Sequence, residues 1–203
     1  EKIGAVNTIV NDNGRLKGCN TDAAGFLRAL EEKGIDPSGK KAVILGAGGG
    51  SRAISFIIAE KGADIDIISR SKSLEYAAKL AKSIYGYTKS NIQAIELNET
   101  NLKQSLRQAD ILINATSIGM NPDADMTLVP QKLLRPEMVV FDVIYNPEKT
   151  RLISDAEEAG ATAIGGLDML VWQGALAFQL WTGVEAPLTT MKNTAIKLLK
   201  EPA

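Results

Sequence analysis

Four glycines in the segment Lys40-Lys41-Ala42-Val43-Ile44-Leu45-Gly46-Ala47-Gly48-Gly49-Gly50-Ser51-Arg52-Ala53-Ile54 stand directly after an apolar run and directly before a helical pattern. In that context the chemistry on offer is the cradling of a phosphate chain. Gly46 permits a tight turn, Ala47 completes the loop, and Gly48 lets backbone approach a pyrophosphate. Gly49 and Gly50 lead into a helix whose amino end carries unpaired N–H donors and the positive end of a dipole. Ser51 replaces the third fingerprint glycine and is still small enough for close packing of helix on strand. The plainer alternative is a glycine-rich turn that holds nothing.

Which dinucleotide would fit depends on the end of the next apolar run, Ser69-Arg70-Ser71-Lys72. An acid there accepts from ribose hydroxyls, whereas a 2′-phosphate needs a cation. Asp66 lies at the nominal spacing of about 20 residues from Gly46 but precedes the end of the strand, out of reach of the ribose. Arg70 can stack on adenine and donate to a phosphate, Ser69 and Ser71 add hydroxyls, and Lys72 adds charge, so the reading is NADP. Arg70 as a solvated loop residue is the alternative.

Acid–base chemistry is narrowed by what the chain lacks. It contains no histidine, the commonest general base and zinc ligand, and one cysteine, Cys19. Proton transfer must therefore use Asp, Glu, Lys or Tyr, and no metal site is expected. With 23 basic and 24 acidic residues, no net field favours nucleic acid or an anionic membrane, and a small molecule is the expected partner. No apolar run approaches the roughly 18 residues needed to span a bilayer, and the start has no signal-peptide pattern, so a cytoplasmic protein is expected. The first residue is Glu1, directly before a strand-like segment, which suggests an upstream portion.

Positioning these groups calls for an α/β fold. Val- and Ile-rich runs at 42–45, 65–69, 92–97, 111–115, 139–143 and 162–164 read as strands buried on both faces. Helical patterns fall between them at 52–61, 74–85, 101–108 and 149–159. This alternation predicts a Rossmann-like, doubly wound parallel sheet of about six strands. Residues 1–20 read as a hairpin about the Asn13-Gly14 turn, and residues 168–200 as two helices.

Further segments carry a family resemblance. They are Gly4-Ala5-Val6-Asn7-Thr8, Gly18 with Asn20-Thr21-Asp22 and Gly25-Phe26, the glycine loop, Asn114-Ala115-Thr116-Ser117-Ile118-Gly119-Met120, Asp142-Val143-Ile144-Tyr145-Asn146-Pro147 with Thr150 and Leu152, and Gly166, Met169, Leu170, Gln173, Phe178, Trp181 and Gly183. Together they resemble the shikimate dehydrogenases over nearly the whole chain. The resemblance implies reduction of 3-dehydroshikimate to shikimate with NADPH, on the route to aromatic amino acids, by a monomer or homodimer. It assigns catalysis to Asp22, paired with a lysine from an upstream N-V-T-x-P-x-K segment. It places Asn7, Thr21, Asp22, Tyr145 and Gln173 at the substrate, and Thr116, Ser117, Val143, Gly166 and Met169 with the cofactor. Asp22, or Asn20 and Thr21, could instead cap the helix that starts there, and Met169 could be core packing.

The implied organisation is a substrate-domain remnant at 1–22, an NADP domain at 23–165, and helices at 166–203 that bridge back. The lysine segment has no counterpart in these 203 residues, and Lys2 stands in the wrong motif to replace it. The expectation is a chain that binds NADP and turns over little, its last helix exposing Met191, Ala195, Ile196 and Leu199. Leu74 stands where the family often carries a second arginine toward the 2′-phosphate. A quinate/shikimate dehydrogenase using NAD, or a nucleotide-binding module without catalysis, are the rival readings.

Overall fold

The computed structural model describes residues 2–200; Glu1, at the start of the chain, and residues 201–203 of the expected C-terminal segment lie outside the described residues. The element order is β1 (Thr8–Asp12), β2 (Arg15–Cys19), α1 (Asp22–Glu31), β3 (Lys41–Leu45), α2 (Gly49–Glu60), β4 (Asp64–Ser69), α3 (Ser71–Thr88), β5 (Ile92–Glu96), α4 (Glu99–Arg107) and β6 (Ile111–Asn114). A 3-10 turn (Gln131–Leu133), β7 (Val139–Asp142), α5 (Arg151–Glu158), β8 (Thr162–Ile164), α6 (Leu167–Thr182) and α7 (Leu188–Lys200) complete it.

β1 and β2 pair antiparallel, and the turn between them is built from Asn13 and Gly14, both at positive φ, as the Asn-Gly dipeptide requires. The other six strands form one parallel sheet in the order β5-β4-β3-β6-β7-β8. This is the doubly wound order, and it reverses between β3 and β6. At such a reversal the crossovers leave in opposite directions and a crevice opens beyond the strands' carboxyl ends.

Alternation along each strand explains the unbroken apolar runs. Ala42, Ile44, Ile65, Ile67, Ile111, Ile113 and Phe141 face one core with Phe26, Ile54 and Ile58. Val43, Leu45, Leu112 and Val140 face the other, with Leu102, Leu106, Leu152 and Ala156. In β3, β6 and β7 both faces are covered, so both strand parities are largely apolar; β5, at the edge of the sheet, is contrary to expectation not buried on both faces and leaves Gln93 and Glu96 exposed. α1, which the apolar periodicity did not delimit, is anchored by Phe26 against the ring of Phe141, centroids 4.7 Å apart. The four helices between strands occupy the expected places with shifted ends. α2 starts at Gly49 rather than Arg52, and α3 runs on to Thr88, ending where Lys89 takes a left-handed conformation. The apolar residues Met191, Ala195, Ile196 and Leu199 of α7 are half-buried rather than bare, because α7 packs on α6.

Two features set the positions of the site-bearing loops. The first is Asp142, wholly buried at the end of β7. Its carboxylate accepts from Thr150 Oγ1 at 2.7 Å, from the Ile144 N–H at 3.1 Å and from Asn114 Nδ2 at 3.0 Å. Asn114 in turn donates to the Ile118 carbonyl, and its Oδ1 accepts from the N–H and hydroxyl of Thr116. One carboxylate thus ties the loops after β6 and β7 together. The second is Gly25, where a Cβ would stand 2.8 Å from the Gln173 nitrogen, so that only glycine lets α1 lie this close to α6.

Both features can be tested by stability. Burial lifts the Asp142 carboxyl to about 6 against the opposing hydrogen bonds from Thr150, Ile144 and Asn114. A carboxyl raised from 3.8 holds its proton more tightly in the folded chain. Its contribution is therefore complete below about pH 4 and is lost as pH rises through about 6, up to roughly 3 kcal/mol in all. Urea unfolding of wild type and Asp142→Asn across this range should show wild type losing stability relative to the variant between pH 4 and 6; a pH-independent difference would contradict the assignment. Gly25→Ala should cost about 1–3 kcal/mol by overpacking the α1–α6 contact, measured in the same way.

Candidate functional site

The carboxyl ends of β3, β4, β5 and β6 surround a cavity of about 370 Å³ lined by Gly46, Ala47, Gly48, Ser69, Arg70, Thr116 and Ser117 among the expected residues. Ile68, Ser73, Tyr76, Leu97, Ala115, Ile118 and Leu128 complete its wall. Gly46 turns the chain at φ 104°, and a Cβ there would meet the Ala115 carbonyl at 2.9 Å. Around Gly48, Gly49 and Gly50 the space is open where side chains would stand. Gly48 caps α2 with no side-chain hydrogen bond, which leaves the first N–H groups of the helix free to donate. Ser51, at the third fingerprint position, is buried and turns its hydroxyl back to the Gly46 carbonyl at 2.7 Å, bracing the loop from beneath.

The end of β4 brings Ser69 and Arg70 to the cavity but not Ser71 or Lys72. Asp66 is buried and held by Lys41 Nζ at 2.5 Å and Gln93 Nε2 at 2.9 Å, inside the sheet and away from the cavity. Arg70 is exposed at the cavity rim and pairs with no carboxylate among the described residues. The Ser69 hydroxyl is buried there without a hydrogen-bond partner among the described residues. A glycine cradle, a helix amino end, an unpaired guanidinium and an orphaned hydroxyl fit a phosphorylated dinucleotide. Ser71 and Lys72 lie beyond the lining, and the Ser71 hydroxyl donates to Glu96. Gly49 and Gly50 enter through α2 rather than the wall.

A second cluster joins the hairpin, α1 and α6. Asn7 Nδ2 donates to Asp22 Oδ1 at 2.8 Å, to Thr21 Oγ1 at 3.0 Å and, more loosely, to Gln173 Oε1 at 3.4 Å. The Thr21 N–H donates to Asn7 Oδ1 at 2.9 Å. Four of the five residues expected at a substrate therefore meet in one network; Tyr145 stands exposed in the loop after β7 and takes no hydrogen bond in it among the described residues. Capping of α1 falls to Asn20, whose Oδ1 accepts from the Ala23 N–H at 3.2 Å, while Thr21 makes no side-chain cap. Asp22 is left free of that duty. Partial burial raises its carboxyl above the usual range, the hydrogen bond from Asn7 opposing.

α6 spans from one cluster toward the other. A Cβ on Gly166 would lie 2.2 Å from the Val143 carbonyl, so glycine alone allows the loop after β7 to touch the start of α6. Met169 is buried in the core, and the partly buried Val143 packs against the same cluster. Seven residues further along, counted from Gly166, Gln173 enters the polar network.

Sequence reasoning gave no site role to Ile68, Ser73, Tyr76, Leu97, Ala115, Ile118 and Leu128, although Ala115 and Ile118 stand in a segment that carries the resemblance. Leu97 follows directly on β5, and the rule that ligands gather beyond strand ends could have found it. Leu128 belongs to a loop without periodicity, and nothing local marks it.

Residues 29–147 match the shikimate / quinate 5-dehydrogenase family, and residues 166–196 match the shikimate 5′-dehydrogenase C-terminal domain. A shikimate dehydrogenase (NADP(+)) of Dehalococcoides mccartyi is 47% identical over 203 residues, covering 99% of this chain and 70% of that protein. The shikimate 5-dehydrogenase of Listeria monocytogenes, solved with shikimate and NAD, superposes with a TM-score of 0.89 at 42% identity, over 95% of this chain and 68% of that one. That of Thermus thermophilus, solved with NADP(H) and shikimate, gives 0.83 at 38% identity, over 97% and 69%. On sequence, fold and the matched length of its relatives, the chain belongs to the shikimate dehydrogenase family.

Proposed function

We propose that the chain seats NADP(H) in the cavity at the carboxyl ends of β3, β4 and β6, and serves the reduction of 3-dehydroshikimate to shikimate. The observation that carries the cofactor half is the unpaired Arg70 beside an open glycine cradle. Gly46 to Gly50 and the amino end of α2 would hold the pyrophosphate, and Arg70 with the Ser69 hydroxyl the 2′-phosphate. Thr116 and Ser117 would border the dinucleotide from β6, with Val143, Gly166 and Met169 toward the nicotinamide. When bound, that ring supplies the hydride that converts the carbonyl to an alcohol.

The network of Asn7, Thr21, Asp22 and Gln173 supports the substrate half. The exposed Asn7 amide and the half-buried Gln173 amide suit a polyhydroxy acid, with the Thr21 hydroxyl buried behind them. Asn7 fixes Asp22 Oδ1, while Oδ2 accepts no hydrogen bond among the described residues and is the oxygen available to a partner. Through it, Asp22 would orient and tune the ammonium that protonates the developing alkoxide. We assign that ammonium to the lysine of the N-V-T-x-P-x-K segment, which the 203 residues do not contain. In this reading residues up to Asp22 and those after Gly165 form the substrate-facing flank, tied by the Trp181 Nε1 hydrogen bond to the Ile9 carbonyl at 2.9 Å. No helix among the described residues is long and apolar enough to cross a membrane.

Titration of the purified 203-residue chain with NADPH and, separately, NADH should show tighter binding of NADPH. Addition of 3-dehydroshikimate should then cause little oxidation. Rapid oxidation would refute the need for the lysine, and preference for NADH would overturn the role given to Arg70.

A further inference from the structure

Glu96 is the last residue of β5 and sits in register beside Ser69 of β4, the strand whose end carries the ribose-facing residues. Neighbouring strands run about 4.8 Å apart, so its backbone stands one strand away from Ser69. Ser69, Arg70 and Leu97, the residue after Glu96, line the cavity, and Glu96 itself stands outside that lining. Its backbone is pinned there by Asn101 Nδ2, which donates to the Glu96 carbonyl at 2.9 Å. The side chain accepts the hydrogen bond of Ser71, the first residue of α3 and the one that follows Arg70. Neither Arg70 nor Lys72 forms an ion pair with it among the described residues, so its charge is not neutralised within the protein.

We infer that Glu96 is a specificity-determining residue that narrows the preference for NADP over NAD, an inference that rests on the cavity being the NADP seat proposed above. Two physical effects act in the same direction. A serine hydroxyl has one hydrogen to give, and while Ser71 gives it to Glu96 it cannot give it to a 2′-phosphate. A 2′-phosphate also brings about −1.5 to −2 charges at neutral pH, and a carboxylate beside it repels that charge. NAD meets neither penalty. Its free 2′-hydroxyl can donate to Glu96, so that the acid missing from the end of β4 is supplied by the end of the next strand. Leu74, on the first turn of α3, adds no cation that would offset this.

The test measures dissociation constants of NADP+ and NAD+ for the wild-type chain, Glu96→Gln and Glu96→Lys, at about 0.05 and about 0.5 M salt. Glu96 is exposed at a strand end, so both variants should fold. Glu96→Gln should tighten NADP+ by about three- to tenfold and leave NAD+ unchanged or weaker, and Glu96→Lys should tighten NADP+ further. The gain should shrink at the higher salt, as a charge effect must. An unchanged NADP+/NAD+ ratio, an equal change for both nucleotides, or a gain indifferent to salt overturns the inference while leaving the NADP seat standing. Failure of the wild-type chain to bind either nucleotide overturns the seat and this inference together.

Discussion

The turn at Gly46 is the constraint on which the cofactor seat depends. β3 must end, and α2 begin, within a few residues of the point where the neighbouring strand β6 delivers Ala115. The backbone accomplishes this at φ 104° with the Ala115 carbonyl 2.9 Å from the place a Cβ would occupy. A side chain would clash there and would strain the turn as well. Because the turn is tight, the first N–H groups of α2 face the crevice where the strand order reverses, and no side chain caps them. Ser51 braces the loop from below. The helix dipole, the open glycines and the crevice coincide as consequences of one backbone geometry.

A similar economy of space joins the two polar regions. Among the described residues, Gly166 and Gly25 mark two places where α6 or its first turn meets other backbone too closely for a Cβ. The first contact fixes α6 against Val143, next to Asp142; the second fixes it against α1 at Gln173. Asp142, buried and accepting three hydrogen bonds, sets the loops from which Thr116 and Val143 are presented. Burial raises its pKa against the opposing pull of these hydrogen bonds. Residues that never touch a ligand in this account therefore hold those that do.

The central strands were legible because a parallel sheet covered on both faces demands apolar residues of both parities, and Val43-Ile44-Leu45 or Ile111-Leu112-Ile113 can hardly be read otherwise. The Asn13-Gly14 hairpin was legible because its turn needs two positive φ values. Helix ends were less so. α2 opens on Gly49 and Gly50, which propensity disfavours and loop geometry dictates, and α3 ends at Lys89 with no glycine to signal it. At the site, Gly46, Gly48 and Arg70 announced themselves by local context. Asn7, Asp22 and Gln173 were gathered through resemblance, since residues 166 positions apart in the chain share no local signal. The pairing of Ser71 with Glu96, 25 positions away, depends on strand order and was invisible for the same reason.

The central claim is that a dinucleotide lies across the carboxyl ends of β3, β4 and β6. Backbone amide hydrogen exchange, recorded with and without saturating NADP+, tests it most directly. Protection should increase at residues 46–52, 69–73 and 115–118, and little elsewhere in the sheet. Protection centred instead on the cavity between α4 and the 128–133 segment, with the glycine loop unaffected, would contradict the account.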